Sequence, residues 1–346
     1  MKAIIIIIGV LFGIIFGLYP WNKTIKPLWW KIVVTASICL TIIFGIIPPI
    51  AGTFSDAYYV YSLGRSNKIN VLIETKDLST SYDKNINMWL IKEQKSKDDN
   101  PNFLIIPKQT LPQEFENSES IIVKTKFDAR YNAYVYYSTV EINPFMTFPY
   151  IPDLEERVKI LNFHVPMAWV AVLAYLISMI YSIQFLRNQD MKNDIFASSS
   201  AYLGTVFTIL ATVTGMIWAK FNWGAYWNWD PRQTSIFILL LIYFAYFALR
   251  SSVENKELKA RLSSVYSIIA FVTVPFLVFV LPRIVSGLHP GSADDSSLGP
   301  IMSGGSDMLN LNKQIVFSLA LASFTMLFFW ILNIYNRYKL LREKYD

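Results

Sequence analysis

One cysteine, Cys39, and two histidines, His164 and His289, are all that 346 residues hold of the side chains best suited to transition metals. A single cysteine builds neither a disulfide framework, nor a CxxC redox pair, nor a thiolate zinc site, so dithiol chemistry is excluded. Charged residues make up only 16% of the sequence, too few for an ordinary soluble domain of this length. No phosphate-cradling glycine motif occurs, and any ATP dependence therefore belongs to another chain.

Apolar residues are abundant at 53%, and they gather in runs of about 17 to 25, long enough to cross a bilayer core as helices. Seven candidate spans follow, at 3–19, 30–50, 163–185, 197–219, 235–249, 262–281 and 314–334. The fifth is short and begins inside the loop before it. The net charge of +6 resolves into clusters in alternate connections: Lys23, Lys26 and Lys31; Arg187 and Lys192; Arg250, Lys256, Lys259 and Arg261; Arg337, Lys339, Arg342 and Lys344. Basic residues favour the cytoplasmic side. This pattern points to lipid contact and cytoplasmic loops, with no nucleic-acid partner. It puts the N-terminus, the segment from 52 to about 160, and the loops at 220–234 and 282–312 outside. The first run also fits a signal peptide, but it lacks a small-residue cleavage site, which favours a retained anchor.

The fold class predicted is an all-α polytopic membrane bundle of about seven transmembrane helices with an inserted small extracytoplasmic β-domain. Residues 1–51 supply two N-terminal spans, 52–152 the β-domain and 153–346 the main membrane domain. The inserted stretch has short β-type runs such as IIVKTKF from Ile121 and AYVYYSTVEI from Ala133, which predict a sandwich. It has no histidine, cysteine or glycine-rich loop, so it reads as a docking or spacer module. The acidic stretch from Asp153 to Glu156 suits a first helical turn and predicts a helix that runs on to carry His164.

The loop WGAYWNWDPRQT, within 222–234, packs Trp223, Tyr226, Trp227 and Trp229 beside Gly224, Asp230 and Arg232. An interfacial aromatic belt needs no fixed glycine, aspartate or proline among its rings. Indole faces offer wide π contact at low entropic cost, which suits a large flat ligand such as a porphyrin. Gly224 would admit close backbone approach, Asp230 would hold the loop through backbone hydrogen bonds, and Arg232 would pair with a propionate. Arg157 and Arg283 are further propionate candidates. His164, in LNFHVPMAW, and His289, in VSGLHPGS, flank this loop on the same predicted face. Imidazole is a common axial ligand of haem iron, and two would leave no open coordination site.

The segments LNFHVPMAW, YLGTVFTILATVTGMIWAKFNWGAYWNWDPRQTS and SGLHPGS resemble the cytochrome c maturation protein C family, within the haem-handling group marked by the WWD signature that includes CcsA and CcmF. The resemblance covers about residues 155 to 340. It implies a six-helix membrane core in which the tryptophan-rich loop and two outer histidines hold haem b for delivery to a haem chaperone or apocytochrome c. By position, His164 and His289 match the axial ligands, and Trp223, Gly224, Trp227, Trp229 and Asp230 the signature loop. Tyr226 stands where this family usually has tryptophan, and Pro231 resembles the CcsA and CcmF branch. The extra N-terminal span and the β-domain lie outside the compact family pattern.

These readings place the chain in a bacterial cytoplasmic (inner) membrane, with the tryptophan-rich loop and β-domain on the outer, periplasmic face. The leading function is a haem-binding and delivery protein with no catalysis of its own, with ATP-binding-cassette subunits as candidate partners. Two alternatives stay open: a haem lyase, which would form covalent cytochrome from apocytochrome alone, and a haem exporter, which would need polar groups at membrane depth.

Overall fold

The computed structural model describes the chain except residues 1, 21–23, 85, 94–102, 109, 152–153, 290, 294–309 and 346. In chain order, helices α1 (Lys2–Leu18) and α2 (Leu28–Ile46) come first. Then follow β1 (Ile50–Ala51), α3 (Phe54–Ser62), β2 (Ile69–Glu74), β3 (Leu78–Asp83), β4 (Met88–Glu93) and β5 (Phe103–Ile106). After these come α4 (Glu114–Asn117), β6 (Ser120–Asp128), β7 (Ala133–Ile142) and β8 (Phe148–Pro149). Helices α5 (Leu161–Asn188), α6 (Met191–Trp223), α7 (Pro231–Ser252), α8 (Lys256–Pro275), α9 (Leu281–Ile284) and α10 (Leu311–Tyr345) complete the chain.

Among the described residues, six helical stretches are long and apolar enough to cross a membrane: Leu28–Ile46, Glu155–Asn188, Met191–Trp223, Pro231–Ser252, Lys256–Ile284 and Leu311–Tyr345. This is a mostly helical, multi-pass membrane protein. The first predicted span forms a shorter helix of 17 residues. Several predicted boundaries move for local reasons. α2 stops at Ile46, four residues early, because Pro48 and Pro49 cannot continue a helix. α7 starts at Pro231, before the predicted 235, because Asp230 caps it and proline suits the first helical position. The predicted start at Asp153 lies outside the described residues; from Glu155 to Ile160 the chain makes a 3-10 turn before α5.

The contacts divide the chain into two compact units, one of Met1–Ile46, Lys159–Asp307 and Gln314–Asp346, the other of Ile47–Val158 and Met308–Lys313. In the larger unit α5 packs on α6 and α8 around Val170, Tyr175, Phe207, Tyr243 and Phe328. Lipid gives apolar helices no hydrophobic reason to associate, so close packing and hydrogen bonds carry the interface. Gly204 on α6 makes room for this: a Cβ there would lie 2.7 Å from the Tyr175 ring, which stacks on Tyr243 with centroids 3.6 Å apart. Helix α1 docks on α10 through Gly9, Gly13 and Gly17, where added Cβ atoms would come within 3.0 Å of Ser318, Ala322 and Phe329. Lys26 then closes the end of α1, its ammonium donating to the carbonyls of Gly17, Leu18 and Tyr19 at 2.7–2.9 Å. A bidentate pair, Arg250 to Asp194 at 2.6 and 2.8 Å, ties the end of α7 to the start of α6.

The smaller unit differs from the predicted sandwich. Among the described residues it has one six-stranded sheet, ordered β2-β6-β7-β5-β4-β3, and a two-stranded pair, β1 with β8. The sheet is antiparallel except where β5 runs parallel to β7. One buried face suffices because α3 covers it: Phe54, Ala57 and Val60 join Val71, Ile73, Ile121, Val123 and Tyr134 in a single core. A Thr53–Asp56 capping box starts α3, worth about 1 kcal/mol.

Candidate functional site

Helix α6 runs to Trp223 and ends at Gly224, whose φ of 81° is left-handed. An added Cβ at Gly224 would meet nothing, so the backbone turn is what requires glycine there. The chain turns through Tyr226, Trp227 and Trp229 and re-enters a helix at Pro231. Gln233 ties the turn to α7: its side-chain oxygen accepts from Asn228 N–H at 2.8 Å, and its amide donates to the Tyr226 carbonyl at 3.2 Å.

Asp230 is the hub. One carboxylate oxygen accepts from the Arg232 N–H at 2.9 Å, capping α7, and from His289 Nδ1 at 2.8 Å. The other accepts from the Leu288 N–H at 2.7 Å. One side chain thus fixes a helix start, a distant loop and an imidazole. The approach is tight: a Cβ on Gly287 would sit 2.8 Å from both Asp230 Oδ2 and Pro231 Cδ. The 285–293 loop is closed on itself by Ser292, whose hydroxyl donates to the Gly287 carbonyl at 2.9 Å and whose N–H donates to the His289 carbonyl at 3.2 Å.

Burial of Asp230, whose side chain is 1% exposed, works against its charge. The hydrogen bond and charge of His289, with the Arg232 and Leu288 N–H groups, outweigh that and hold the carboxyl down at about 2. For His289 burial wins over the Asp230 carboxylate, and its pKa is lowered. The pair is therefore a carboxylate with a neutral imidazole at neutral pH. Since the carboxylate can only accept, the ring proton sits on Nδ1 and the Nε2 lone pair is left over.

His164, on the first turn of α5, reaches the same tautomer by another route. Its Nδ1 lies 3.0 Å from Thr214 Oγ1 on α6. The Thr214 hydroxyl proton is already directed at backbone, with the Leu210 carbonyl at 2.8 Å and that of Ala211 at 3.1 Å. The oxygen must then accept from the ring, which places the proton on Nδ1 and again leaves Nε2 as the acceptor. Gly215 beside it makes the space, because a Cβ there would come 3.0 Å from His164 Cε1.

The aromatic residues of the loop divide into two groups. His289 is held between Trp218, stacked at 5.3 Å and 28°, and Trp223, edge-on at 4.6 Å and 76°. Trp227 packs edge-on against Trp229 at 5.7 Å and against Phe237 of α7 at 6.2 Å. Trp229 is 70% exposed, and Tyr226 lies under the Lys220 ammonium at 5.6 Å. Both rings lie against the same helix, His164 at Thr214 and His289 between Trp218 and Trp223 of α6, and so belong to one site. Arg232 adds its charge to both histidines, and Arg283 adds its own to Arg232. Arg157 belongs to the smaller unit, where its Nε donates to the Leu154 carbonyl at 3.0 Å. Thr214, Gly215, Trp218, Gln233 and Gly287 are site residues that sequence reasoning missed. Trp218 looks there like one more apolar residue of a span, and Gly287 is marked only by the short spacing of SGLH.

Taken together, two imidazoles held through Nδ1, indole faces and two guanidinium groups can receive a flat, metal-bearing, anionic ligand. Residues 119–345 match the family model described as "Heme exporter protein C", a stretch that holds β6, β7 and every helix from α5 onward. "Heme exporter protein C" of Paracoccus denitrificans is 33% identical over 187 residues, covering 54% of this chain and 75% of that protein. A "putative cytochrome c biosynthesis ccmC-like mitochondrial protein" of Marchantia polymorpha is 36% identical over 124 residues, covering 36% of this chain and 52% of its own. The Escherichia coli K12 "Heme exporter protein C" is 30% identical over 145 residues, 42% of this chain and 59% of its own. The matched length is thus three quarters of the first of these relatives and between half and three fifths of the other two. The chain belongs to the heme exporter protein C (CcmC) family.

Proposed function

We propose that the protein is a haem carrier of cytochrome c biogenesis, with haem as its cargo and no catalysis of its own. The observation that carries this reading is that each histidine has its Nδ1 held, His164 by Thr214 Oγ1 at 3.0 Å and His289 by Asp230 Oδ1 at 2.8 Å. Each ring then has Nε2 for iron. On this reading His164 and His289 are the axial ligands of haem b. Asp230 orients one imidazole and raises its basicity, as carboxylates behind metal-bound histidines do, and Thr214 orients the other. Trp223, Trp227, Trp229 and Tyr226, with Gly224 at the turn, supply the porphyrin wall. Arg232 and Arg283 are the propionate partners. When bound, haem would bring its iron with both axial positions filled by protein, an arrangement for holding and passing on rather than for reacting. This disfavours the lyase.

The basic connections argue for a bacterial cytoplasmic membrane with the tryptophan-rich loop and the β-domain on its outer face, and with α1 as a seventh span. Haem would then pass to a haem chaperone or to apocytochrome c outside, with any ATP-driven step belonging to ATP-binding-cassette subunits. The test is reconstitution of the purified protein with haem, followed by an excess of apocytochrome c. Saturable one-to-one haem binding with no covalent cytochrome supports the carrier. Covalent cytochrome formed by this chain alone would make it a lyase, and absence of stoichiometric binding would refute both.

A further inference from the structure

The smaller unit carries a site of its own. Between the end of α3 and the β6–β7 hairpin lies a cleft of about 440 Å³ lined by Tyr61, Arg65, Lys126, Phe127, Arg130 and Tyr137 among others. Its walls are aromatic. Phe127 is gripped edge-on by Tyr58 at 5.0 Å and tilted against Tyr61 at 4.9 Å, and Tyr137 lies under the Lys68 ammonium at 3.7 Å. Its charge is one-sided. Asp128 is the acidic lining residue, and Arg130 already holds it through three side-chain contacts, 3.1, 3.3 and 2.6 Å. The α3 carbonyls add little negative potential, since the N–H groups of Leu63, Gly64 and Arg65 turn back to Tyr59, Tyr61 and Val60 at 2.9–3.2 Å, with Gly64 left-handed at φ 71°.

Tyrosine and arginine are the residues most enriched where proteins bind one another, because they join wide rigid contact with directed polar groups. A cleft of this size takes one or two side chains, not a folded domain. We propose that it docks an acidic segment of a partner polypeptide, with an aromatic or aliphatic side chain seated against the exposed rings of Tyr61 and Tyr137 and a flanking carboxylate on Lys126. This does not rest on the haem reading, since none of these residues belongs to the haem site.

The test uses the full-length protein in nanodiscs and a fluorescein-labelled peptide of alternating Asp, Glu and Phe. Fluorescence anisotropy should give saturable binding that weakens as salt rises, with the lysine counterpart of the peptide binding at least about tenfold more weakly. Lys126→Glu and Tyr137→Ala should each weaken the acidic peptide by about tenfold. Both should leave the haem spectrum unchanged, which controls for misfolding. Equal binding of the two peptides, or an unchanged affinity in both variants, would overturn the proposal. So would displacement of the peptide by short-chain phosphatidylglycerol at lower concentration than by unlabelled peptide, which would make the cleft a lipid site.

Discussion

Replacing Asp230 with asparagine changes one atom's chemistry at the hub while keeping its size. The amide can still cap α7, since asparagine caps as well as aspartate. It cannot serve all three donors. With its oxygen toward Arg232 N–H and His289, the amide nitrogen faces the Leu288 N–H, now 2.7 Å from an acceptor that would be gone. Turned over, it presents N–H to His289 Nδ1 and drives the ring proton to Nε2, where iron should bind. A carboxyl held down at about 2, below its ordinary 3.8, by its hydrogen bonds stabilises the folded state. That contribution is full above pH 3.8 and is lost as pH falls through about 2. It disappears in Asp230→Asn at neutral pH. Loss of the carboxylate behind a metal-bound histidine costs about 10–100-fold in affinity. Both effects are read on one sample, with haem loss followed by transfer to excess apomyoglobin and stability by thermal melting of the haem-free protein. A haem off-rate within about twofold of the parent, with an unchanged spectrum, would refute the hub role of Asp230.

Gly287→Ala forces a Cβ to 2.8 Å from Asp230 Oδ2 and Pro231 Cδ, and overpacking of that kind costs about 1–3 kcal/mol; a lower melting point with weaker haem retention is expected. Thr214→Val keeps the shape but removes the hydroxyl beside His164 Nδ1, so haem affinity should fall while the haem-free protein melts within a few degrees of the parent. Lowering the pH is informative for sign. His289 is pushed below its ordinary 6.5, so haem ligation through it should persist as pH falls past that value. The unfolded chain meanwhile takes up the proton first, and the haem-free protein should lose stability below 6.5. A haem titration curve centred on 6.5 or above would contradict the burial of His289.

Rarity made the site legible. Two histidines and one dense tryptophan loop stand out in 346 residues because chance and membrane anchoring explain neither well. What could not be read was which loop residue does what. Asp230 looked like a loop-holding residue, and its bond to His289 joins positions 59 apart, a pairing that no local pattern encodes. Trp218 and Gly215 sit in an apolar run where tryptophan and glycine are ordinary, and their meaning appears only once α5 and the 285–293 loop approach α6. The six long apolar helices were legible from run length, apart from ends set by proline and caps. The sheet was not: alternating runs reveal strands, but the order β2-β6-β7-β5-β4-β3 and the cover provided by α3 depend on long-range pairing. The run FSDAYYVYS that forms α3 is short and rich in tyrosine, a composition equally suited to a strand.

The most direct measurement is the absorption and electron paramagnetic resonance spectrum of the purified, haem-loaded protein beside His164→Ala and His289→Ala. A low-spin bis-histidine signature is expected in the parent, with its loss or replacement by a high-spin, weakly held haem in each variant. Full retention of the parent spectrum in both would contradict axial ligation by these histidines.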